Sequence, residues 1–80
     1  MSNPTERLAG LLQRFVSGED RSKRLAGELE VAIDELFPED DDWQDVVHAL
    51  ACYSPGGGPF LFDERQVEMK CRWALNSLLG

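Results

Sequence analysis

Between Leu25 and Leu36 the apolar side chains return every three or four residues: Leu25, Leu29, Ala32, Ile33, Leu36. That spacing puts them on one face of an α-helix, with Glu30 and Asp34 opposite. A strand cannot use the pattern, because alternation with period two would scatter it over both faces. The stripe stops at "FPED", where the residue before Pro38 is pushed out of the helical region. Three more segments carry a stripe of the same period, and each is bounded by its own start and stop signals. In "NPTE", Asn3 can cap, Pro4 suits the first helical position and Glu6 falls where a capping box wants it. Leu8, Leu11, Leu12, Phe15 and Val16 follow, leaving Arg7, Gln13 and Arg14 outside, until "SGED" breaks the chain. Gly18 can stop this helix, and Ser17 or Asp20 can start the next. Asp40 or Asp41 can cap a third segment whose inner face reads Trp43, Val46, Val47, Leu50 and Ala51, closed by Tyr53. "SPGGGP" cannot continue a helix. Asp63 with Gln66 then forms a capping box, Phe62 can staple onto Val67, and Val67, Cys71, Ala74, Leu75 and Leu78 make the last stripe.

Four stripes that each need a partner predict an all-α fold, a compact antiparallel four-helix bundle. The expected helices are 4–16, 20–37, 41–53 and 64–79, in one domain spanning 1–80. "PFLF" is the one short strand candidate. Met69 and Trp73 lie off the last stripe, one turn apart. The expectation is that α-helix 64–79 is buried on two sides; the alternative is an exposed apolar spot that partners use.

Charge is distributed unevenly. Residues 1–24 and 65–80 each carry a net charge of +2, whereas the forty residues 25–64 hold eleven Asp and Glu and no Lys or Arg, giving -7 for the chain. Such a surface repels the phosphates of nucleic acids and membranes and attracts a basic partner. Seven of the acids crowd into one segment: Asp34, Glu35, Glu39, Asp40, Asp41, Asp42 and Asp45. Helix capping and dipole effects explain one or two of them. Asp34 and Glu35 oppose the dipole of their own helix, so the segment gives up local stability, as a selected acidic surface would.

Other chemistry is weakly signalled. Asp45, His48 and Cys52 fall within about 60° on a helix surface, but a fourth zinc ligand is missing and acidic surroundings disfavour a thiolate. "EDDD" lacks the alternating acids, central Gly and twelfth-position Glu of a calcium loop. "SPGGGP" lacks the preceding strand and the Lys of a P-loop; its amides could form an anion nest, which Asp63 and Glu64 would oppose. No enzyme, no cofactor and no metal is therefore expected, nor direct nucleic-acid or membrane binding. Without a secretory signal or a membrane-length apolar run, and with Cys52 and Cys71 far apart, the expectation is a cytoplasmic monomer with reduced thiols.

Two stretches, "LAGLLQRFVSGE" and "CYSPGGGPFLFDERQVEMKCRWALNSL", resemble the small immunity proteins of the colicin D type, which protect bacteria against their own tRNA-cleaving toxins. The resemblance implies a small acidic four-helix domain that binds over the basic active site of a toxin or nuclease domain and imitates the negative charge of RNA. In that family the acids cluster at the end of the third helix and in the following turn. Here those positions read Ser54, Gly56, Gly57 and Gly58. The contact is therefore expected at Asp34, Glu35, Glu39, Asp40, Asp41, Asp42 and Asp45, or at Asp63 and Glu64. An adaptor docking through Met69 and Trp73 is the alternative function.

Overall fold

The computed structural model describes residues 3–56, 58–59 and 61–80, and places four helices: α1 Pro4–Ser17, α2 Lys23–Leu36, α3 Asp41–Ala51 and α4 Glu64–Leu79. Each begins on a side-chain cap. Asn3 Oδ1 accepts the Glu6 N–H at 2.7 Å, Ser22 Oγ the Leu25 N–H at 3.2 Å, and Asp40 Oδ1 the Asp42 and Trp43 N–H groups at 3.0 and 3.2 Å. Asp63 and Gln66 complete a reciprocal capping box, each bond 3.0 Å long.

α2 starts at Lys23 rather than at residue 20, because Asp20 spends its carboxylate on the Ser22 N–H in the connection and leaves Ser22 to cap. Gly18, at φ 85°, ends α1 in the left-handed region that glycine enters without steric cost. α3 ends at Ala51 rather than at Tyr53. There the chain leaves the helix so that Tyr53 pairs with Phe62 in an isolated parallel bridge, in which Ser54 N–H donates to Phe62 O at 2.9 Å and Phe62 N–H to Cys52 O at 3.0 Å. That bridge is what becomes of the expected short strand, and no strand forms among the described residues; Phe60 and Gly57 lie outside them.

α1 packs on α2 and α4, α3 packs on α2 and α4, and the backbones of the diagonal pairs stay more than 8 Å apart at their Cα atoms. This is the ring of an antiparallel four-helix bundle. The radius of gyration, 11.6 Å, is the roughly 12 Å of a compact chain this long. Leu8, Leu12, Phe15, Leu29, Ile33, Val46, Tyr53, Val67, Cys71 and Ala74 fill the centre. On α3 the inner face takes Ala49 and leaves Ala51 exposed, the reverse of the expected stripe, because the face centres on Trp43, Val46 and Leu50. Val16, Leu36, Val47, Leu75 and Leu78 are half-buried at its edges.

The α1–α2 connection is held from inside. Arg21 Nε donates to Phe15 O at 3.0 Å, a carbonyl at the end of α1 that also accepts the Gly18 N–H at 3.2 Å. The same guanidinium ion-pairs with Glu68 of α4. The Tyr53 hydroxyl donates to Arg21 O at 2.5 Å, and its ring meets Phe15 edge-on with centroids 5.4 Å apart.

Candidate acidic interface at the α3–α4 face

The seven acids of residues 34–45 are all exposed and lie where α2 ends, turns and becomes α3. Two of them do structural work: Asp40 caps α3, and Asp34 accepts a 3.1 Å bond from Gln44 Nε2, which also donates to Phe37 O. Gln44 thereby serves a carbonyl at the end of α2, where no basic residue stands in the last turn. Only Asp45 has a cationic partner, Lys70 of α4. Among the described residues the other six have no Lys or Arg nitrogen within 4.0 Å, since the remaining ion pairs join Arg21 and Arg72 to Glu68 and Arg24 to Glu28.

Asp63 and Glu64 are not part of this cluster. They open α4, which begins where α3 ends, so the length of α3, about 16 Å, separates them from Asp41. Both are already engaged: Asp63 caps, and Glu64 Oε1 accepts the Gly56 N–H at 2.5 Å. Gly56 sits at φ 87°, so the amide that could have greeted an external anion is turned toward the chain's own carboxylate. Glu68, nearby, is held below the usual carboxylate range, first by its bond from Arg72 and also by Arg21, against the opposing effect of burial.

α4 is not covered on two sides. Met69 is 67% exposed and Trp73 41%, because α4 touches only α1 and α3 and the turn carrying these residues faces out. Trp43 is buried, at 5% exposure. Its ring stacks on Phe37 with centroids 4.3 Å apart and nearly parallel planes, and meets Trp73 edge-on at 5.5 Å. Three aromatic rings thus run in a row from the acidic turn to the outer face of α4. Beside them an open groove of about 340 Å³ is lined by Asp42, Asp45 and Val46 from α3 and by Met69, Lys70 and Trp73 from α4. Two of the seven acids, Asp42 and Asp45, and the exposed apolar pair, separate features in the sequence, stand on the two sides of this groove. The only sequence signal for the neighbourhood is indirect: Met69 and Trp73 break the stripe of their helix at i, i+4 spacing.

The rest of the surface is less selective. A groove of about 410 Å³ between α1 and α2 mixes Arg7 and Arg24 with Glu28 and Glu35, so it favours neither sign of ligand. His48 Nε2 lies 3.8 Å from Cys52 Sγ, but Asp45 of the same helix face turns to Lys70, and no three His, Cys, Asp or Glu gather to hold a metal among the described residues. Both cysteines are free; Cys71 is buried, and burial pushes its thiol up to about 12. No described helix is long and apolar enough to cross a membrane.

No family model, no curated protein and no solved structure matches the chain.

Proposed function

We propose that this chain is an acidic protein-binding module, an immunity or inhibitor protein that occludes a basic nucleic-acid-handling site of a toxin or nuclease. One observation carries the reading. Among the described residues, six carboxylates between Asp34 and Asp42 stand without a cationic partner, inside forty residues that contain no Lys or Arg. Unpaired like charges held close repel one another, and they become favourable when a cationic surface covers them. The carboxylates then take the places that phosphates would occupy on the partner, so inhibition is competitive and needs no chemistry from the chain itself. The resemblance to the colicin D-type immunity proteins supplies the toxin in this reading; the charge layout alone supplies only a basic partner.

Electrostatic steering of this kind speeds association and is screened by salt. The test is a pull-down from the native host with mass spectrometry, followed by association kinetics across ionic strength with the partner so identified. Recovery of a basic nuclease whose on-rate falls steeply with salt is expected. An on-rate indifferent to ionic strength would refute the proposal.

The exposure of Met69 and Trp73 favours a second reading, a small adaptor that docks through this apolar spot. It differs in prediction: binding would tolerate salt and vanish in Trp73→Ala.

A further inference from the structure

We infer that the α3–α4 groove is the anchor point of the acidic face, and that its occupant is an arginine-bearing amphipathic segment of the basic partner, whose guanidinium takes the place of the Lys70 ammonium at Asp45. The inference rests on the reading of the acidic face as a protein-binding surface and specifies how that surface is engaged.

The chemistry of the two walls defines the occupant. Asp42 and Asp45, one turn apart on α3, present carboxylates to one side. Met69 and Trp73, one turn apart on α4, present apolar surface to the other, and Val46 lies between them. A wholly apolar helix would leave the Asp42 carboxylate facing it without a counter-charge and would strip water from the Asp45–Lys70 pair. A bare polycation would leave the thioether and the indole uncovered. Nucleic acid brings phosphates to an acidic wall. A segment carrying a cation beside apolar side chains satisfies both walls.

Lys70 already shows where a cation sits. Its ammonium pairs with Asp45, yet the two side chains are 40% and 57% exposed. An exposed pair of this kind is weakly held, and the long lysine stem can swing out to solvent. Arginine is the better replacement. Its planar fork can bond two carboxylates and lie against an indole at once, whereas an ammonium is a compact point charge. The indole is also set in advance. Trp73 leans on Trp43, which is stacked on Phe37, so little side-chain freedom remains to be lost on binding.

The test uses the full chain and a fluorescein-labelled amphipathic helical peptide with arginines on one stripe and leucines beside it. Matched peptides replace Arg by Lys, Leu by Ser, or Arg by Glu. Anisotropy gives the affinities, and the Trp73 indole N–H signal reports the site by NMR. The Arg/Leu peptide should bind tightest of the four and move the Trp73 signal. Trp73→Ala and Met69→Ser should each weaken it, the first by about tenfold or more as for an aromatic anchor. Lys70→Gln should tighten it about two- to fivefold by removing the resident cation. Arg65→Gln makes the same net-charge change in the first turn of α4, outside the groove lining, and should leave affinity nearly unchanged.

If Met69→Ser and Trp73→Ala bind normally while neutralising Glu35, Glu39 and Asp41, which lie outside the groove, abolishes binding, the groove assignment is overturned and the acidic interface stands. If Lys70→Gln weakens binding, Lys70 is a contact and the displacement is wrong. If the Glu peptide binds as well as the Arg peptide, the acidic-interface reading fails and the inference with it. Met69 is exposed enough that loss of fold cannot explain its result, and circular dichroism checks Trp73→Ala.

Discussion

Replacing Tyr53 by Phe removes one oxygen from the centre of the fold and nothing else. The hydroxyl donates to Arg21 O at 2.5 Å across a sequence separation of 32 residues, joining the end of α3 to the α1–α2 connection. Its ring is buried and rests edge-on against Phe15, contacts that the Phe variant keeps. The loss is therefore the net hydrogen bond, about 0.5–1.5 kcal/mol, together with the cost of leaving the Arg21 carbonyl unserved, for a total of about 1–3 kcal/mol. In a domain of this size a loss of about 1.5 kcal/mol lowers Tm by roughly 6–12 °C. With a urea m-value of about 1 kcal/mol/M, the denaturation midpoint moves down by about 1.5 M at unchanged slope. Amide exchange at Glu19–Ser22 should accelerate in the same variant, because Arg21 would then be held only through its side chain. Urea titration followed by circular dichroism measures the effect directly. A midpoint that does not move would mean that water or the Arg21 side-chain bonds hold the connection without Tyr53, and the account of how α1 and α2 are joined would be wrong.

Asp40 has two separable roles, the cap of α3 and a place on the acidic face. Asp40→Asn keeps the cap and should leave stability unchanged while slowing association with a basic partner; Asp40→Ala should also cost about 1 kcal/mol in urea denaturation. Gly27 lies inside α2, and a Cβ there would meet nothing within 4 Å, so Gly27→Ala should raise stability by about 0.5–1 kcal/mol; a loss would show that the α1–α2 groove is tighter than described. Cys71 is driven up from 9.0 to about 12, chiefly by burial, so the folded state holds its proton where the unfolded chain releases it. The unfolded state then binds fewer protons, and stability must fall as pH rises from about 9 toward 12. Cys71→Ala should flatten that alkaline slope in pH-resolved denaturation, and a thiol reagent at pH 8 should modify Cys52 well before Cys71.

Much of the fold was legible because helices announce themselves locally. Stripe period, Pro38, Gly18 and the Asp63–Gln66 box each act within a few residues, and the helices appear where those signals place them. The misses are also physical. Ser17 and Asp20 are the expected starts of α2, but Ser22 caps it, because Asp20 binds the Ser22 amide instead. Tyr53 was read as the end of a helical face, but its hydroxyl and the bridge to Phe62 draw it out of α3, partners too distant in sequence for any local signal.

The same division governs the candidate site. That Asp34–Asp45 would be a dense acidic surface follows from the sequence by itself, since the forty residues 25–64 around it hold no Lys or Arg to neutralise it locally. Which acids stand together was decided by the fold. Antiparallel α3 and α4 carry Asp63 and Glu64 to the far end, where the capping box and the Gly56 amide absorb them. The same pairing brings Lys70 to Asp45 and sets Met69 and Trp73 beside Asp42. Periodicity tells each helix which stripe to bury. It does not tell how much of the remaining circumference the neighbours will cover, and on α4 the two contacting helices leave the Met69–Trp73 turn open to solvent.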